Sequence, residues 1–125
     1  MPSPIVHFQL ASSDPEATEA FFRDVFDWSF TASGATGSRV RAAIETGHRQ
    51  VEPNDIYPSG TLFQLPEGAP AYTALYIRVA DLDETLKRAQ ERGARVVLPR
   101  TRNPGGTDLA IITTPQGLVV GIVQL

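Results

Sequence analysis

This chain has no cysteine at all. Disulfides, thiolate-bound metals and cysteine nucleophiles are therefore excluded. His7 and His48 are the only histidines, and no serine sits in the Gly-x-Ser-x-Gly context of a nucleophile elbow, so no Ser-His-Asp arrangement is expected. Lysine occurs once, at Lys87, and the remaining basic residues are scattered arginines. With a net charge of −3 there is no electrostatic reason to expect nucleic acid or an acidic membrane surface as partner. No apolar run is long enough to span a bilayer. A charged stretch leading into an apolar one, the mark of a secretory leader, is missing near Met1. The expected location is cytoplasmic.

What is present is a repeat. Ile5-Val6-His7-Phe8-Gln9-Leu10 leads into Asp14-Pro15-Glu16, and Tyr72-Thr73-Ala74-Leu75-Tyr76-Ile77-Arg78-Val79 leads into Asp81-Leu82-Asp83-Glu84. Asp14 and Asp81 are sixty-seven residues apart, as are His7 and Ala74. Each copy reads as a strand entering a helix, followed by three further strands. Asp14 is an N-cap with Pro15 at the first helical position and acids in the first turn. Ala17, Phe21, Val25 and Trp28 recur at roughly helical spacing, with Phe22 and Phe26 beside them, which predicts a helix over 15–26. In the second copy Asp81 caps a helix carrying Leu82, Leu86 and Ala89 on one face and stopping at Gly93. Residues 28–33, 40–45, 61–65, 95–98, 109–113 and 118–123 read as strands. The polar segment Gly47–Gly60 reads as a long loop, a candidate lid. At 125 residues and 42% hydrophobic content the chain suits one compact domain, with module one at 1–68 and module two at 69–125.

These residues carry a resemblance. His7-Phe8, Asp14-Pro15, Ala20-Phe21-Phe22 and Phe26-Asp27-Trp28, together with Val79-Ala80-Asp81-Leu82-Asp83, Arg92-Gly93-Ala94 and Thr114-Pro115-Gln116-Gly117, resemble the vicinal oxygen chelate superfamily of glyoxalase I, bleomycin-resistance proteins and extradiol dioxygenases. The resemblance implies an α+β fold of two tandem βαβββ modules forming a curved half-open barrel around a cleft. It also implies a homodimer. In that superfamily a divalent metal takes one ligand from each of four strands and acts as a Lewis acid on substrate oxygens. Here the implied positions fall on His7, Gln64, Ala74 and Gly121, with Gln64 placed by matching Gly60–Gln64 to Gly117–Gly121. Ala74 and Gly121 have no donor, whereas a catalytic metal usually has three protein ligands. No cofactor is therefore expected. A divalent metal held by rearranged ligands (His48, Glu52 or Asp55 from the long loop) is the alternative.

Strand alternation gives the expected lining. His7 and Gln9 share a face, as do Tyr72, Ala74 and Tyr76. Leu62, Gln64 and Gly121 join them, with Arg41 turned inward, while Trp28 packs in the core. Such a lining suits a small, partly aromatic organic molecule. The leading expectation is a metal-independent binding protein rather than an enzyme. A metal-dependent lyase or dioxygenase, and a metal-free enzyme using His7 as acid or base, are the alternatives.

Overall fold

A computed structural model describes residues 2–32, 40–47, 59–102 and 106–124. They divide into two compact units, His7–Thr73 and a second formed by Ala74–Leu125 with Met1–Val6. The element order is β1 (Ile5–Ser12), α1 (Pro15–Phe26), β2 (Ser29–Ala32), β3 (Val40–Glu45), β4 (Ser59–Gln64), β5 (Tyr72–Arg78), α2 (Leu82–Glu91), β6 (Arg95–Arg102), β7 (Asp108–Thr113) and β8 (Val119–Gln124). The α+β class and the duplicated βαβββ order are those expected from the sequence. The Ser33–Ser38 turn, Arg39, the proposed lid at 48–58 with His48, Glu52 and Asp55, and the turn at 103–105 lie outside the described residues.

Both helices begin where local chemistry dictates. The Asp14 carboxylate accepts from the Ala17 N–H at 3.1 Å, and the Asp81 carboxylate accepts from the Glu84 N–H at 3.0 Å. Each satisfies a backbone donor that the helix itself leaves unpaired. Helix α1 ends as Asp27 adopts a left-handed conformation at φ 61° and returns its N–H to the carbonyl of Arg23. Beyond α2, Gly93 takes φ 93°, a conformation that costs glycine least.

In the first unit the strand order is β2-β3-β4-β1. Strands β1 and β4 run parallel, with Phe8 opposite Gly60, Gln9 opposite Thr61 and Leu10 opposite Leu62. The other pairs are antiparallel, and β3 is irregular between Val40 and Ala42. Leu10, Ala42, Ile44 and Leu62 form the buried core, with Phe8, Phe22, Trp28 and Phe30 packed against it. Trp28 stacks on Phe22 with ring centroids 5.0 Å apart, so it is a core residue, as expected.

In the second unit the order is β5-β8-β7-β6, again with one parallel pair, in which Tyr76 lies opposite Gly121. Leu82, Ala110, Ile112 and Ile122 make its core, flanked by Leu86 and Ala89 of α2. The Arg78 N–H donates to the Pro4 carbonyl at 3.0 Å, tying the N-terminal residues into this unit. Gln124 Oε1 accepts from the Leu82 N–H at 2.7 Å, so the closing strand completes the first turn of α2. Asp108 is buried at the head of β7. Arg100 and Arg102 both bind its carboxylate, and Arg100 Nη1 also reaches Asp83 at 2.9 Å.

Candidate functional site

On β1, Phe8 and Leu10 face the helix-side core, so His7 and Gln9 face the other way. The parallel register sets Ser59 opposite His7 and Thr61 opposite Gln9, on that same face. His7 Nδ1 lies 2.7 Å from Ser59 Oγ, and His7 Nε2 lies 3.0 Å from Thr61 Oγ1. Both ring nitrogens are thus engaged by hydroxyls contributed by a strand more than fifty residues away. Desolvation by burial holds the imidazole below its ordinary pKa, which favours the neutral ring. A neutral imidazole has one N–H donor and one lone pair, so one hydroxyl accepts from the ring and the other donates to it. Gln9 is buried beside this group, at 7% exposure.

The same register corrects part of the expected lining. Leu62 pairs with Leu10 and is fully buried in the helix-side core. It does not share the face of His7. Matching Gly60–Gln64 to Gly117–Gly121 by their turns misses the sheet register by three residues. Gln9 and Tyr76 are equivalent by the repeat, and they pair with Thr61 and Gly121 respectively. The counterpart of Gly121 is therefore Thr61 rather than Gln64. Gln64 lies on the strand face of Leu62, and its Oε1 accepts from Arg41 Nη1 at 2.9 Å. Arg41 is exposed. Burial raises the Tyr72 phenol above its ordinary pKa.

In the second unit Ala74 and Tyr76 are buried, on the strand face turned away from Leu82 and Ile122. The alternation read from the sequence is the one observed. Gly121 does not leave an opening, however. A Cβ placed there would lie 2.6 Å from the Tyr76 ring, so the ring occupies the space that a side chain at Gly121 would take. A groove of about 490 Å³ in this unit lies elsewhere, between Ser3, Val79 and the Thr85–Arg92 side of α2. It contains none of the residues expected to line the cleft.

The donors at the four positions implied by the resemblance can now be counted with the corrected register. The first unit offers an imidazole at His7 and a hydroxyl at Thr61. The second offers a methyl at Ala74 and, at Gly121, a glycine beneath an aromatic ring. Among the described residues no group of three or more His, Asp or Glu side chains is arranged to hold a metal ion. This donor set does not fit a divalent metal with three protein ligands. Ser59 escaped the sequence reading because it fell inside the long polar loop, and Thr61, although read as strand, was not matched to His7. The signal available was the alternation Ser59-x-Thr61 ahead of Leu62.

Residues 4–122 match the model of the Glyoxalase/Bleomycin resistance protein/Dioxygenase superfamily. The chain belongs to this superfamily. The "Putative glyoxylase CFP32" of Mycobacterium bovis is 26% identical over 116 residues, covering 92% of this chain and 43% of that protein. The chain thus spans less than half the length of the curated relatives it matches. Among solved structures, a Streptomyces coelicolor methylmalonyl-CoA epimerase in complex with 2-nitronate-propionyl-CoA has a TM-score of 0.62 at 17% identity, with 99% of this chain and 98% of that one covered. A hypothetical protein from Bacillus halodurans has a TM-score of 0.66 at 13% identity, with 100% and 96% covered. At these identities the structural likeness shows that the glyoxalase superfamily fold is shared. Among the described residues no helix is long and apolar enough to cross a membrane.

Proposed function

We propose that this glyoxalase-superfamily chain is a metal-independent small-molecule binding protein, acting as a homodimer, that holds a small, partly aromatic ligand against the face carrying His7, Gln9, Ser59 and Thr61. The observation that carries this reading is the engagement of both His7 ring nitrogens by Ser59 and Thr61. A ligating histidine presents one nitrogen to the metal and commonly fixes the other through a carboxylate, carbonyl or water. Here both nitrogens meet neutral hydroxyls. Such a group offers uncharged donors and acceptors, suited to a carbonyl, hydroxyl or amide on an otherwise apolar molecule. The lowered pKa of His7 supports a second reading, in which the neutral ring serves as a general base at physiological pH.

Metal content of protein purified without a histidine tag or chelator tests the first reading. The expected result is no stoichiometric Zn, Ni, Fe or Mn, with thermal shifts from small aromatic carbonyl compounds that are lost in His7→Gln. About one metal per chain would overturn it.

A further inference from the structure

Ser59, His7 and Thr61 form a line: hydroxyl, imidazole, hydroxyl. Its first gap is 2.7 Å and its second 3.0 Å. Ser59 is exposed, whereas His7 and Thr61 are partly buried. The reactive hydroxyl is thus at the accessible end, and the group that orients the ring is at the sheltered end. This satisfies the geometric test for an activated nucleophile: nucleophile and base within hydrogen-bond reach, the base fixed by a third group. With Thr61 Oγ1 accepting from Nε2–H, the lone pair of Nδ1 faces the Ser59 hydroxyl.

We propose that Ser59 is a nucleophile activated by His7, with Thr61 as a positioning residue, and that the chain transfers the acyl group of small activated esters to Ser59 and then to water. Ser59 Oγ adds to the ester carbonyl carbon while its proton passes to His7 Nδ1, and the carbonyl electron pair moves onto oxygen. Collapse of that adduct re-forms the carbonyl and breaks the bond to the leaving oxygen, which takes the proton from His7 and departs as an alcohol. Water repeats the sequence on the Ser59 ester. His7 removes its proton, a carboxylic acid is released, and the serine hydroxyl is restored. No oxidant, reductant or metal enters this balance.

The inference goes beyond the ligand-binding reading and is tested separately from it. The full-length chain is treated with an alkyl fluorophosphonate, which loses fluoride to an activated serine oxygen, and the adduct is located by peptide mass spectrometry. The expected product is a single adduct on Ser59. It should be abolished in Ser59→Ala and slowed about 100-fold in His7→Gln, the lower end of what a positioned base contributes. Thr61→Val should slow labelling and shift its pH profile, and Thr61→Ser should restore both, which a purely structural role for Thr61 would not produce. Circular dichroism confirms that each variant folds. Should His7→Gln misfold, the Thr61→Val and Thr61→Ser pair carries the test. No adduct on Ser59 in the folded parent chain, or labelling as fast in folded His7→Gln as in the parent, would overturn the proposal. Neither result bears on metal content or thermal shift, so the failure of one reading is distinguishable from the failure of the other.

Discussion

The two units use one device on opposite sides of their sheets. In each, an aromatic ring on the leading strand covers a glycine on the parallel partner strand: Phe8 over Gly60, Tyr76 over Gly121. Phe8 belongs to the helix-side core, so its ring leaves the other face of β1 to His7 and Gln9. Tyr76 lies on the face away from α2, and there its ring fills the room that a functional side chain would need. A shift of one strand position therefore turns one copy into a polar face with a poised imidazole and the other into an apolar, filled one. The two units share a scaffold, and the placement of a single ring separates a polar face from an apolar one.

The comparison can be broken at several points. The largest effects should come from the core leucines, which are fully buried in both units. Leu62→Ala and Leu82→Ala should each cost about 3 kcal/mol in denaturant unfolding. If Leu62→Ala were nearly neutral, its assignment to the core of the first unit would fail. Next come the two glycines. At Gly121 the added Cβ meets Tyr76 Cγ and the adjoining ring atoms at 2.6 Å, close to the root of a buried side chain that cannot swing clear. Gly121→Ala should cost about 2 to 3 kcal/mol through overpacking. At Gly60 the clash is with the far end of the Phe8 ring, which can move, so Gly60→Ala should cost about 1 kcal/mol. Equal losses would erase the proposed difference between the rings.

Two pH effects follow, and they have different owners. Hydrogen bonding from Arg100, with Arg102 adding to it, holds the Asp108 carboxyl below its ordinary pKa. The stability it contributes is full above that ordinary value and is lost as pH falls through the folded one. Asp108→Asn should therefore melt lower at neutral pH and lose less on acidification. In the first unit His7 titrates below its ordinary 6.5. The unfolded chain takes up the proton first, so stability should decline slightly as pH drops below about 6.5 and level off once the folded ring is protonated. Imidazole resonances followed by NMR titration would check this. A midpoint at or above 6.5 would show that the ring is not sheltered.

Features set by neighbouring residues were legible in the sequence. Asp14 and Asp81 announced both helices because capping is settled within one turn. Alternation along β5 put Ala74 and Tyr76 on one buried face because one strand suffices to define its own parity. The duplicated βαβββ order followed from repeating these local units, and the fold class from the family resemblance. What was not legible was the register between β1 and β4. It depends on pairing residues more than fifty positions apart, and a slip of an odd number of residues reverses every assignment on a strand. Leu62 was placed on the wrong face for that reason, and Ser59 and Thr61 went unnoticed although they are the partners of His7.

The bond from Leu82 N–H to Gln124 Oε1 has a temporal meaning. It joins residues forty-two positions apart, so the opening turn of α2 stays unfinished until Gln124 has been synthesised. Contacts of such long range form late and slowly. The first unit's residues, by contrast, have all emerged by Thr73. On a ribosome, then, the half that carries His7, Ser59 and Thr61 has emerged while the second unit is still waiting for its last strand.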